Sequence, residues 1–134
     1  MKMRITLLAL AFLLAAGVAE AQDQKTADKK FWFVSAALVG STIYDVESTY
    51  YVFDKCPTCR ELNPTFMKHI VYAGRPALYA VQGSMDAGII FMSYKFKQDP
   101  KLRWMHKSWW VLPVAVSVAH SLAGTHNIRF ALTF

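Results

Sequence analysis

The chain has 134 residues, of which 54% are hydrophobic and 14% aromatic, and its formal net charge is +6. A soluble domain contains about 45–50% apolar residues, so this excess favours a membrane protein of a single domain. The basic residues flank the hydrophobic segments and form no continuous polar face. This pattern argues against nucleic acid as a partner and favours the headgroups of a lipid bilayer.

The N-terminus has the organisation of a secretory signal peptide. Lys2 and Arg4 precede an apolar segment of signal length, and Ala19-Glu20-Ala21 matches an A-x-A cleavage site. Residues 1–21 are therefore predicted to be a signal peptide, and residues 22–30 a polar linker. An uncleaved anchor helix is the alternative. In either case the predicted location is a membrane, most simply the bacterial inner membrane.

The segment 31–53 is predicted to be the first spanning helix, although it contains Asp45 and Glu47. A helix of this length covers about 35 Å, against a hydrocarbon core of about 30 Å. A carboxylate at membrane depth costs at least about 2.5 kcal/mol, so such residues are candidates for a functional site.

The rest of the chain predicts two further spans and a short helix. Pro64 opens a brief apolar segment that is too short to span, which favours an interfacial helix over 64–73. The predicted fold class is all-α, a small transmembrane bundle of about three spanning helices within residues 31–134. The elements after the first span are a hydrophilic loop at 54–63, the spans 77–94 and 108–124, a basic loop at 95–107 and a tail at 125–134.

Two signals disagree about membrane orientation. A cleaved signal peptide places the linker outside, so that the loop 95–107 is external. That loop has five Lys or Arg residues, against four in 55–75. Because cytoplasmic loops normally have the excess of positive charge, the orientation stays open.

Polar side chains recur on one face of each predicted span. Asp45 and Thr49 are four residues apart on the first helix, whereas Glu47 lies about 200° around it from Asp45. We therefore expect a buried polar cluster rather than a pair of neighbouring acids. Its predicted members are Asp45, Asp86 and His120, with Thr49 and Gln82 as hydrogen-bond partners. Such a cluster either only joins the helices, at about 0.6 kcal/mol for each contact, or forms a working site.

Cys56 and Cys59 form a C-x-x-C motif with little supporting context. The βαβ setting of a thioredoxin-like site is missing, a second pair for zinc is missing, and no histidine follows Cys59 as haem attachment requires. The two residues are expected to be a local disulfide outside the cytoplasm or free thiols inside it. No metal and no cofactor are predicted.

Three short motifs resemble an uncharacterised family of small bacterial multi-helix membrane proteins. They are Asp45-x-x-x-Thr49, the turn Glu61-Leu62-Asn63-Pro64, and Gly74 before another helix. The resemblance implies a membrane location and a role for Glu61, Asn63 and Pro64, and it implies no activity. The residues alone indicate that Asn63 caps the helix that begins after it.

The expected function is that of a non-enzymatic accessory or scaffold component, with the bilayer and other membrane protein subunits as partners. The alternative is a membrane-embedded enzyme or small transporter subunit that uses Asp45 and His120 for proton handling. The two hypotheses differ in whether the polar faces of the helices meet.

Overall fold

The computed structural model describes residues 26–59 and 67–134, and every regular element in these ranges is a helix. The all-α class predicted from the sequence is therefore confirmed. The predicted signal peptide, residues 22–25 of the linker, and Glu61, Asn63 and Pro64 lie outside the described residues. The helices, in chain order, are α1 (Lys29–Lys55), α2 (Met67–Tyr72), α3 (Arg75–Gln98), α4 (Arg103–Ser108) and α5 (Val111–Ala131).

Helix α1 contains the whole predicted segment 31–53 and extends it by two residues at each end. Asp28 is its N-cap, and the carboxylate of this residue accepts a hydrogen bond of 2.9 Å from the backbone N–H of Phe31. A cap of this kind contributes about 1 kcal/mol because it satisfies one of the free N–H groups of the first turn. Buried side chains follow at Phe31, Ser35 and Leu38, at the three- and four-residue spacing of one helix face.

Helices α2 and α3 follow the predicted order with small shifts. The predicted interfacial segment 64–73 contains α2, which has six residues. Helix α3 exceeds the predicted 77–94 at both ends. It begins after Gly74, whose φ of 100° lies in the left-handed region that favours glycine. Pro76 lies in its first turn, where a proline removes no helical hydrogen bond.

The third predicted segment, 108–124, is displaced toward the C-terminus. Ser108 ends the short α4, and the continuous helix is α5. Much of the predicted tail 125–134 is therefore helical. Gly124 does not end α5, although glycine costs about 1 kcal/mol relative to alanine in a helix. Its lack of a side chain admits the ring of Tyr44 from α1, so close packing compensates for the weak helix propensity.

Helices α1 and α5 run parallel, and α3 runs antiparallel to both. The start of α1 lies beside the start of α5, where the ring of Phe31 contacts that of Trp109 just before α5. Farther along both helices, Thr49 accepts a hydrogen bond from Asn127. Helix α3 reverses this order, because its Lys97 meets Asp28 near the start of α1, whereas Arg75 meets residues near the end of α1.

One end of the bundle, residues 26–34 and 95–110, is here called the basic end. It contains seven Lys or Arg residues, two Asp residues and all four tryptophans of the chain. The ring of Phe31 lies 5.9 Å from that of Tyr94 and 5.8 Å from that of Trp109, so the starts of α1 and α5 meet the end of α3 here.

Polar side chains are buried between the helices, and large apolar side chains cover much of the outside. Three of the four buried residues of α3 are polar, namely Gln82, Asp86 and Ser93. Phe33 on α1 is 76% exposed and Leu122 on α5 is 66% exposed. Among the described residues, eight buried polar or charged residues accompany eight buried hydrophobic ones, so the interior is more polar than is usual for a globular protein.

The three segments predicted to span a membrane are helical over most of their length. Within residues 26–59 and 67–134, however, none of the helices has both the length and the apolar character needed to cross a membrane.

Candidate functional site

The centre of the bundle contains a direct contact between α1 and α5. The Nδ1 atom of His120 lies 2.7 Å from Oδ2 of Asp45, and the two side chains are 16% and 17% exposed. An ionised carboxylate can only accept, so Nδ1–H of the imidazole donates this hydrogen bond. The contact fixes the orientation of the ring and leaves its Nε2 atom available for a second interaction.

Asp86 brings a second carboxyl group to the same interior from α3. It is 4% exposed and interacts electrostatically with His120. The hydroxyl of Thr42 faces Asp86. The Thr42 hydroxyl is buried, and among the described residues it forms no hydrogen bond. Two carboxyl groups therefore share the surroundings of a single imidazole.

A hydrogen-bond chain continues from Asp45 toward the end of α5. The hydroxyls of Ser48 and Thr49 donate to the backbone carbonyl of Asp45 over 2.8 and 3.0 Å. The side-chain amide of Asn127 then donates to both hydroxyl oxygens, over 3.2 and 3.0 Å. Thr49 therefore links Asn127 to the backbone of α1, rather than contacting the carboxylate of Asp45. We refer to Asp45, Ser48, Thr49, Asp86, His120 and Asn127 as the interior cluster.

Two of these residues are absent from the predicted cluster. Asn127 falls in the predicted tail 125–134, although it lies seven residues after His120 and hence on the same helix face. Ser48 lies three residues after Asp45, so the helical spacing that points to Thr49 also points to Ser48. Extending the helical pattern past Gly124 would have found Asn127.

Gln82 lies on the buried face of α3, one turn before Asp86. Among the described residues, its side chain makes no hydrogen bond to Asp45, Asp86 or His120. Glu47 faces another side of α1, where it accepts a hydrogen bond of 2.7 Å from the hydroxyl of Tyr79 and lies 3.2 Å from Arg75. Glu47 is therefore separate from the interior cluster.

Cys56 and Cys59 are joined by a disulfide immediately after α1. Eleven residues separate Asp45 from Cys56, which places the sulfur atoms about 16 Å farther along the helix axis. The disulfide is thus remote from the interior cluster and closes a local turn of the chain.

In the described ranges, no group of three or more His, Cys, Asp or Glu side chains has an arrangement that could hold a metal ion. The interior cluster offers two carboxyl groups, one imidazole, two hydroxyls and one amide. This set of groups is suited to joining helices through hydrogen bonds and to holding a proton between Asp45 and His120.

Comparison of the chain with protein-family models, curated proteins and solved structures found no match. The resemblance to small bacterial multi-helix membrane proteins therefore stays a prediction.

Proposed function

We propose that the protein is a non-enzymatic accessory or scaffold component of a membrane, held in apolar surroundings as an assembled bundle. The observation that carries the proposal is a partly polar interior combined with large apolar side chains on the outside. Gln82 and Asp86 face the other helices, whereas Phe33, Leu122 and similar residues face outward.

The outward surface supports apolar surroundings. Val118 and Leu122 are both exposed on α5, four residues apart and hence on one face. Met85 and Met92 are exposed on α3. Apolar surfaces of this extent need lipid or a partner protein to cover them.

The interior supports the same proposal. In apolar surroundings a polar side chain that faces outward loses the hydrogen bonds of water, so such side chains turn toward neighbouring helices. The contact between Asp45 and His120 and the chain through Asn127 are contacts of this kind.

Fractionation of cells that express the full chain tests the location. The protein is expected to stay in the membrane pellet after extraction with alkaline carbonate and to enter solution only with detergent. Release by carbonate alone would contradict the proposal.

One observation favours a second function, proton handling by the interior cluster. Asp45 and His120 are in direct contact, and both side chains keep some exposure, so a proton could reach them from outside the bundle. Proteoliposomes that contain the purified protein and an internal pH dye distinguish the two functions. An accessory component leaves the decay of an imposed pH gradient as slow as in protein-free vesicles. A faster decay that Asp45→Asn abolishes would establish proton handling instead.

A further inference from the structure

We propose that the basic end contains a binding site for the headgroup of an anionic phospholipid. This inference rests on the proposed membrane location. The site is an open cleft of about 670 Å³ between the start of α1 and the start of α5. We call it the basic cleft, and the lining residues that matter are Lys29, Lys30, Phe33, Lys107, Trp109 and Trp110.

The three lysines of the basic cleft have no anionic partner in the described part of the chain. The neighbouring Lys97 differs, because its ammonium group pairs with Asp28 and lies 4.7 Å from the ring centre of Trp109. Asp28 is therefore already engaged, by Lys97 and by the first turn of α1. Three lysines that line one cleft without a counter-charge form a site for an external anion.

An exposed apolar side chain in the lining of the basic cleft favours a lipid over a purely ionic ligand. Phe33 follows Lys29 and Lys30 by four and three residues, so it lies on the same face of α1, one turn closer to the middle of the bundle. Its side chain is 76% exposed. A phosphate held by the lysines would thus have an apolar surface next to it, in the direction of the acyl chains.

The tryptophans fit the same ligand. Trp110 is 47% exposed and Trp109 is partly buried beside Phe31. Tryptophan is enriched at membrane interfaces, where its ring meets the acyl chains and its N–H meets the headgroups. A nucleic acid or an acidic peptide would use the lysines but would leave Phe33 without an apolar partner.

Quenching of tryptophan fluorescence tests the site directly. The purified full chain is reconstituted in phosphatidylcholine vesicles that contain increasing fractions of phosphatidylglycerol with brominated acyl chains. Brominated phosphatidylcholine in unbrominated phosphatidylglycerol is the reference. We expect the brominated anionic lipid to quench at lower mole fraction than the neutral one. Each lysine should contribute about fivefold to the apparent affinity.

The triple variant Lys29→Gln, Lys30→Gln and Lys107→Gln should lose the preference for the anionic lipid. Its matched control is Lys55→Gln, Lys95→Gln and Lys101→Gln, which removes the same charge outside the basic cleft and should keep the preference. If circular dichroism shows that the triple variant is unfolded, the single variant Lys107→Gln is measured instead. Its apparent affinity for the anionic lipid should fall about fivefold.

The remaining outcomes separate the two proposals. Equal quenching by both brominated lipids overturns the lipid site and leaves the membrane location intact. Quenching by neither lipid overturns the membrane location and, with it, the site. Inorganic phosphate at millimolar concentration that abolishes the preference at constant ionic strength would identify a site for free phosphate and overturn the lipid proposal.

Discussion

The interior cluster and the basic cleft both concentrate ionisable side chains, but they differ in how those side chains are satisfied. In the interior cluster, Asp45 and His120 lie 2.7 Å apart, and the imidazole supplies the donor that the carboxylate accepts. In the basic cleft, the three lysines meet no carboxylate among the described residues. A buried charge that loses its partner is costly, whereas an exposed ammonium group is hydrated and free to bind. The first region therefore stabilises the fold, and the second is available to a ligand.

The largest effect on stability is expected from His120→Ala. The substitution leaves the carboxylate of Asp45 without its donor in the interior, so the free energy of unfolding should fall by about 3 kcal/mol. Denaturant titration in detergent micelles, followed by circular dichroism, measures the change. The control is His126→Ala, which removes an exposed imidazole from the same helix and should change stability by less than about 0.5 kcal/mol. Equal effects of the two substitutions would show that the contact between His120 and Asp45 does not stabilise the fold.

A smaller loss is expected from Gly124→Ala, beside the interior cluster. A Cβ atom at this position would lie 2.6 Å from ring carbons of Tyr44, so α1 and α5 or the ring must shift. The expected loss is about 1–2 kcal/mol, despite the better helix propensity of alanine. Gly83→Ala is the matched control, because nothing lies within 4 Å of its Cβ position, and it should stabilise the protein slightly. A stabilising Gly124→Ala would show that this helix contact is loose.

Asp28 lies beside the basic cleft but differs from the three lysines of the cleft, because it has a charged partner in Lys97. Hydrogen bonds from the Lys97 ammonium and from the Phe31 backbone hold the pKa of Asp28 below its ordinary value. The carboxylate therefore stabilises the fold above that ordinary pKa. This contribution is lost as the pH falls below about 4, through the pKa of the folded state.

The substitution Asp28→Ala should cost about 1 kcal/mol at neutral pH through loss of the N-cap. Asp28→Asn keeps an acceptor for the cap and removes the titrating group. The part of the acid-induced loss of stability that comes from this residue should therefore disappear in Asp28→Asn. An unchanged pH profile in Asp28→Asn would mean that the ionised carboxylate of Asp28 contributes nothing to the acid-induced loss of stability.

The smallest effect on stability is expected from the lysines of the basic cleft. Replacing Lys29, Lys30 and Lys107 by glutamine should change the free energy of unfolding by less than about 0.5 kcal/mol, because no partner is left unsatisfied. The same substitutions should abolish the lipid preference. A loss of several kcal/mol would show that these lysines are structural, and the contrast with the interior cluster would fail.

The helices and the faces of the interior residues were largely predictable from the sequence. The periodicity of polar residues placed Asp45, Asp86 and His120 on the inner faces of three helices, and placed Glu47 elsewhere. The pattern could not give the partners, because those depend on the relative rotation and direction of the helices. The pattern predicts Thr49 as a hydrogen-bond partner of the cluster, and its hydroxyl connects the backbone carbonyl of Asp45 to the side chain of Asn127.

Tertiary packing explains the main error in the helix boundaries. The third predicted span ends at residue 124. Helix α5 continues to Ala131 because Gly124 packs against Tyr44 and Asn127 hydrogen-bonds to α1. Local propensity could not include these contacts, which come from residues about eighty positions earlier in the chain. The basic cleft likewise depends on α1 and α5 being parallel, which no local pattern specifies.

Polar side chains are buried between the helices, and we propose that the outer apolar surface faces lipid. A spin label at Leu122→Cys, in a background of Cys56→Ser and Cys59→Ser, tests it directly after reconstitution in lipid vesicles. Power saturation should show frequent collisions with dissolved oxygen and few with a water-soluble nickel chelate. Frequent collisions with the nickel chelate at this position would place α5 in water and contradict the claim.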